Sequence, residues 1–226
     1  MTVKDAKMLI SYTHKFIFFH VAKAAGLSIR EALRPYVQEP ERFKIRRPPK
    51  MTDGKPNPIY EMWENTLLHA KAGDVRKELE KDIYDSFYKF AFVRNPWDWQ
   101  VSMYHFILKD PIHVKHKLVT SMGGFEEFLE WVIASEKPYP RGASKFQKDV
   151  ITDEQGNLII DFAGRFENLA HDFAHVCRVI GIRASLPRIN TTDHRDYRDY
   201  YNNNTKKMVA EHFREDIELF GYTFDG

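Results

Sequence analysis

A chain of 226 residues with 43% hydrophobic and 29% charged side chains has the balance of a globular domain and is long enough to bury a core. Its net charge of +2 is too small to point to a nucleic-acid partner, although local basic patches could still face an anion. A lone cysteine, Cys177, excludes an intrachain disulfide. No stretch approaches the ~20 apolar residues of a membrane span, and the first twelve residues hold no apolar run of signal length, so the expected location is cytoplasmic.

The first predicted element is a strand across Lys15-Phe16-Ile17-Phe18-Phe19-His20-Val21, an apolar, β-prone run of the kind buried on both faces of a parallel sheet. Small residues follow from Ala22 to Gly26. Ser28 and Glu31 stand at capping-box spacing, which predicts a helix start near Ser28. Residues 38–65 change character. Pro40, Pro48, Pro49, Pro56 and Pro58 alternate with Arg42, Lys44, Arg46, Arg47, Lys50 and Lys55, which reads as an excursion: either a solvated basic loop or a lid over an anionic acceptor.

A polar-rich helix is predicted over 72–81. A second buried strand, Lys89-Phe90-Ala91-Phe92-Val93, ends in Arg94-Asn95-Pro96-Trp97, and Pro96 suits the first turn of a helix running through Val101, Tyr104 and Leu108. Residues 125–135 and 169–180 read as amphipathic helices, the latter carrying Cys177 as a small core residue. Leu158 to Phe162 reads as a third strand. Asn204 or Thr205 is expected to cap a last helix that presents Met208, Val209, Phe213, Ile217 and Phe220 on one face. Strands alternating with helices predict an α/β fold, a P-loop-like parallel sheet flanked by helices, as a single domain over 1–226. Ligands of such sheets bind beyond the carboxyl ends of the strands, where both motifs considered next fall.

A loop of small residues opening a helix offers backbone N–H donors and the positive helix end to a phosphate, and Lys23 and Ser28 add a cation and a hydroxyl. The pattern is not G-x-x-x-x-G-K-[ST]; it lacks the Lys-Ser/Thr pair that holds magnesium, which argues against ATP with magnesium. A plain strand-to-helix turn with an exposed lysine is the alternative. Arg94 leaves a strand end and Ser102 lies eight residues on, about two helical turns. A guanidinium fork plus a hydroxyl makes a receptor for a second phosphate. Alternatively, Arg94 pairs with an acid and Ser102 is an exposed helix residue. Taken together, the two motifs point to a nucleotide with phosphates at two separate places, which 3′-phosphoadenosine 5′-phosphosulfate (PAPS) has and ATP does not.

At this point the residues resemble a known family. The run from Phe18 through Lys23 and Gly26 to Ser28 resembles the 5′-phosphosulfate loop of PAPS-dependent carbohydrate sulfotransferases. Phe92-Val93-Arg94-Asn95-Pro96-Trp97-Asp98 through Ser102 resembles their 3′-phosphate motif, and Gly164-Arg165-Phe166-Glu167-Asn168-Leu169 and the stretch from Tyr197 to Tyr222 resemble further family segments. The loop departs from the common Pro-Lys-Thr-Gly/Ala-Gly-Thr-Ser: Ala22 replaces the proline, and Ala24 and Leu27 replace the threonines, so two hydroxyl contacts are missing. The resemblance implies transfer of a sulfuryl group from PAPS to a hydroxyl of a carbohydrate or related acceptor, with no metal. Lys23, Ala24, Ala25, Gly26, Leu27 and Ser28 would hold the phosphosulfate, and Lys23 would also stabilise the leaving charge. Arg94 and Ser102 would anchor the 3′-phosphate. His69 is the favoured general base, followed by His20 and then Glu61 and Glu64. A nucleotide-covering loop is expected near 188–195, and Gln147 and Lys145 are weaker acceptor-side candidates. A non-catalytic nucleotide-binding relative and a small-molecule kinase are the alternatives.

Overall fold

The computed structural model describes residues 8–37, 51–52, 55–56, 69–139, 143–187 and 195–226. Of the basic excursion it describes only two short strands, β3 (Met51–Thr52) and β4 (Lys55–Pro56), paired antiparallel. Glu61, Glu64 and most of the expected nucleotide-covering loop lie outside the described residues.

A four-stranded sheet runs in the order β1 (Leu9–Ser11), β2 (Phe16–Phe19), β5 (Tyr88–Val93) and β6 (Phe162–Arg165). β2, β5 and β6 are parallel, with Phe18 opposite Phe90 and Phe92 opposite Gly164; β1 is an antiparallel edge. All four residues of β2 are buried, as a strand covered on both faces demands. In β5, Lys89 is buried yet fully engaged. Its ammonium donates to the carbonyls of Tyr84 (3.0 Å) and Phe87 (2.6 Å) and lies 3.0 Å from the Asp161 carboxylate, so the charge is paired where it is desolvated.

The third strand lies further along than expected. Leu158 makes only an isolated bridge to Thr152, and the strand begins at Phe162. Gly164 sits against the Phe92 ring; a Cβ there would lie 2.6 Å from it, so this register needs glycine.

Helices complete two cores. Gly26–Leu33, Ala72–Glu78 and Leu169–Val179 pack Ile29, Leu33, Val75, Phe173 and Val176 with the buried strand residues. Cys177 belongs to this core, and burial raises its thiol pKa, which fits the expected packing role. A second core is helical. Pro96–Lys109, Phe125–Ala134 and Asn203–His212 bury Trp99, Val101, Ile107, Phe128, Val132 and Val209 together with Phe213. The single C-terminal helix expected from the sequence is broken at Phe213 into Asn203–His212 and Arg214–Phe220. Its cap is Asn202, whose side chain accepts the Thr205 N–H while the Thr205 hydroxyl accepts the Asn202 N–H, so the cap falls two residues before the expected Asn204. Among the described residues no helix is long and apolar enough to cross a membrane.

Candidate functional site

The carboxyl ends of β2 and β5 deliver His20 to Ser28 and Arg94 to one place. The Gly26–Leu33 helix starts at Gly26, two residues before the expected start, and Ala25 takes the N-cap position in the left-handed region (φ 58°) with no side-chain cap. Ser28 is therefore the third helical residue and not the cap. Lys23 is also left-handed (φ 61°). Two non-glycine residues in that region within one turn cost about 1–2 kcal/mol each, which the surrounding packing must over-determine. The first intrahelical bond is Ile29 N–H to the Ala25 carbonyl at 3.1 Å, so the N–H groups of Gly26, Leu27 and Ser28 precede the ladder at the positive end of the helix.

Three contacts hold the loop. The Trp99 indole donates to the Ala22 carbonyl (2.8 Å), and Arg94 Nη1 donates to the Lys23 carbonyl (3.3 Å). The His20 ring fills the notch left by Gly26: a Cβ on Gly26 would lie 2.1 Å from His20 Cδ2 and Nε2. The Lys23 ammonium lies 4.4 Å over the Phe106 ring. Burial, then the Arg94 and Lys109 charges, pull its pKa from 10.5 down to about 8.

His69 closes the base of the loop. Its ring is 5.0 Å from that of His20, and its Nδ1 lies 3.2 Å from the His20 carbonyl oxygen. A carbonyl only accepts, so Nδ1 carries the proton and Nε2 of the neutral ring carries the lone pair. Burial pulls His69 down to about 4, opposed by the His20 carbonyl and helped by the Arg30 charge. His20 is pulled well below 6.5 by burial, then by His69 and Arg30, and its buried Nδ1 has no hydrogen-bond partner among the described residues.

Arg94 is buried and already paired. Its Nε donates to Asp98 Oδ2 at 2.6 Å, and its guanidinium lies 4.1 Å from the centre of the Phe166 ring. Ser102, two turns along the Pro96–Lys109 helix, is fully buried, not exposed. The sequence motif is thus folded as an internally braced unit. Asn95 caps the helix by accepting the Trp97 N–H (3.0 Å), and its own N–H donates to Glu167 (2.7 Å). Tyr222 donates to the same carboxylate at 2.9 Å. Lys23, His20, His69, Gly26 and Arg94 are therefore brought together, whereas Gln147 and Lys145 have their polar groups engaged with backbone. Gln147 is buried against the Arg94 backbone, and Lys145 donates to the carbonyls of Ile133 and Ser135, both at 2.8 Å.

A model of the sulfotransferase family matches residues 6–223, nearly the whole chain. The chain belongs to the sulfotransferase family. It is also similar to a protein of Archaeoglobus fulgidus described only as an uncharacterized protein, with 30% identity over 127 residues, 55% of this chain and 93% of that one. No solved structure matches.

Several residues that brace this candidate site were not given that role by the sequence reading. Asp98 had a usable signal, standing four residues from Arg94, within reach of an ion pair. Glu167 and Phe166 lie in the family segment 164–169 and turn out to brace Asn95 and Arg94. Gln147 was expected on the acceptor side and not against Arg94, and the Trp99 bond to Ala22 was not foreseen, because the partners of both are set by tertiary structure. Among the described residues no group of three or more His, Cys, Asp and Glu side chains is placed to hold a metal ion.

Proposed function

We propose that the chain transfers a sulfuryl group from PAPS to a hydroxyl of a carbohydrate or related acceptor, using the loop 22–28 and Arg94 as a P-loop-like donor site within a single domain. The observation that carries the reading is the placement of Lys23. Its ammonium, on the loop that opens the Gly26–Leu33 helix, is held over Phe106 and is depressed to about 8 by burial and by two other cations. Concentrated, partly unneutralised positive charge at a helix N-terminus suits a bound polyanion, and the family gives that anion its chemistry.

Bound PAPS would supply the sulfuryl group, whose bond to the phosphate oxygen breaks as a bond from sulfur to the acceptor oxygen forms. Lys23 and the N–H groups of Gly26, Leu27 and Ser28 hold the charge that develops on the phosphate. Arg94 and Ser102 take the 3′-phosphate end; engagement there requires Arg94 to share its guanidinium between phosphate and Asp98. His69 Nε2 takes the acceptor proton, its tautomer fixed by the His20 carbonyl.

A second reading, a binding-only relative, is favoured by one observation: Arg94 is already neutralised by Asp98, while Ala24 and Leu27 stand where the family has hydroxyls. Calorimetric titration with 3′-phosphoadenosine 5′-phosphate (PAP), beside ATP with magnesium and repeated on Arg94→Ala, tests the donor site. Binding of PAP that collapses in the variant, with little ATP binding, is expected; a folded protein that binds no PAP overturns the PAPS reading. Sulfate transfer measured across a hydroxyl-acceptor panel then separates the enzyme from the binder.

A further inference from the structure

Asp216 lies in the 197–222 stretch, far in sequence from both nucleotide motifs. It is fully buried on the Arg214–Phe220 helix, and burying a carboxylate is costly unless donors meet it. The donors are backbone: Oδ2 accepts the Gln147 N–H at 2.9 Å and Oδ1 the Lys148 N–H at 2.8 Å, at the start of the Lys148–Ile151 helix. The Lys148 ammonium turns instead to Glu215 (2.9 Å) and Asp149 (3.7 Å). Gln147, so fixed, spends its whole side-chain amide on Arg94, accepting its N–H and donating to its carbonyl as a strand neighbour would. The pairing of β5 ends at Ala91 on the β2 side and at Val93 on the β6 side, so Arg94 has left the sheet where Gln147 takes it up. Arg94 Nη1 then donates to the Lys23 carbonyl. A run of hydrogen bonds thus leads from Asp216 through Gln147 and Arg94 to the loop 22–28. Asp216, Gln147 and Arg94 are all buried, so a bond lost among them is not replaced by bulk water.

We propose that Asp216 is a positioning residue of the donor site: its ionised carboxylate sets Gln147, and Gln147 sets the backbone of Arg94. Its role at the nucleotide rests on the PAPS reading; the relay itself is tested without nucleotide. Protonation breaks the relay at its first link, because the oxygen that takes the proton becomes a donor facing an N–H donor. Burial, helped by Asp149, raises the Asp216 pKa from 3.8 to about 6 against the pull of the two N–H groups and the Lys148 ammonium. Lys148 and Asp149 are the charged side chains that act on it from the Lys148–Ile151 helix, and it acts in turn on the Tyr139 phenol; Glu215 precedes it on its own helix and pairs with Lys148.

The backbone amide resonances of Arg94, Gln147 and Lys148 are followed in the full chain from pH 5 to pH 7.5, and PAP is titrated at the same pH values into the parent and into Asp216→Asn, the substitution nearest in shape. The Gln147 and Lys148 signals report the carboxyl directly, whereas the Arg94 signal moves only where the change passes through Gln147. All three should shift together with a midpoint near 6, and the asparagine variant should lose the shift. Asparagine accepts one N–H but not both, so PAP should bind about fivefold more weakly to the variant at pH 7.5. The ratio of the two affinities should close toward one at pH 5, where the parent has lost its carboxylate. Taking the ratio removes the titration of the phosphates of PAP, whose second ionisation also lies at about 6. An Arg94 signal that stays fixed, or an affinity ratio that does not change with pH, overturns the proposal; an aspartate with a structural task alone gives the constant ratio. If the asparagine variant does not fold, the Arg94 signal of the parent decides. An Arg94 signal that follows Asp216 in a chain that binds no PAP overturns the PAPS reading and keeps the relay.

Discussion

Gln147 completes the backbone of Arg94. Its side-chain oxygen accepts the Arg94 N–H at 2.9 Å and its side-chain amide donates to the Arg94 carbonyl at 2.7 Å, across 53 residues of sequence, just where β5 has run out of strand partners. Gln147 is in turn held by Asp216, whose two carboxylate oxygens accept the N–H groups of Gln147 (2.9 Å) and Lys148 (2.8 Å). Gln147→Ala leaves a buried N–H and a buried carbonyl without partners, which should cost about 2 kcal/mol of stability, read from the denaturant midpoint. PAP affinity should fall by about tenfold in a protein that remains folded. Gln147→Glu, which can still accept but cannot donate, should fall between the two. Unchanged PAP affinity in the alanine variant would remove Gln147 from the support of the site.

Gly26 and His20 form a lock that should show in a double-mutant cycle. Alanine is favoured over glycine in a helix by about 1 kcal/mol, yet a methyl at Gly26 would meet the His20 ring at 2.1 Å, so the loop must move. Gly26→Ala should therefore destabilise the protein and weaken PAP binding, and adding His20→Ala should recover part of both losses. A coupling energy of at least about 1 kcal/mol is expected. Additive effects would show that the His20 ring does not set the loop.

How much of this could be read in advance depended on whether the signal was local. β2 and β5 were legible because both faces of each are buried, leaving continuous apolar runs such as Phe16-Ile17-Phe18-Phe19. β6 was misplaced because Gly164 and Arg165 look unlike a strand, and the reason for Gly164 is the Phe92 ring on the neighbouring strand. β1 is three residues long and gave no periodicity. The helix start at Gly26 was hidden because it depends on left-handed Ala25 and not on a capping side chain. Lys23 and Arg94 were found from their positions at strand ends. An acid partner for Arg94 stood as the alternative reading, and Asp98 four residues on is that partner; the Phe166 ring against the guanidinium appears only once the chain is folded.

His69 should separate chemistry from binding. His69→Ala removes the proposed proton acceptor but no group of the nucleotide loop, so PAP affinity should change little while turnover falls about 10²–10⁴-fold once an acceptor is in hand. Equal losses in both, or none in turnover, would reassign the base. The same residue shapes acid stability. Its folded pKa, about 4, lies below the unfolded value near 6.5, so the unfolded chain binds the extra proton between them. Its contribution to stability is fully present above pH 6.5 and is lost as the pH falls through about 4. His69→Gln should flatten that part of the stability–pH curve, measured by denaturation between pH 4 and pH 7.

Lys23 sets the alkaline limit of donor binding. With a pKa near 8 in the free protein, the ammonium is present below that pH and disappears above it, so PAP affinity should decline as the pH rises through about 8. A bound polyanion favours the charged form, so the pKa rises in the complex and binding near pH 8.5 takes up a proton. That uptake appears as a dependence of the calorimetric enthalpy on the ionisation enthalpy of the buffer. Lys23→Met keeps the aliphatic stem over Phe106 but has no proton to gain. It should bind PAP more weakly at pH 7, with no proton uptake at pH 8.5 and a flat affinity profile between pH 7 and pH 9. A variant that keeps the pH dependence of the parent would show that a group other than Lys23 carries it.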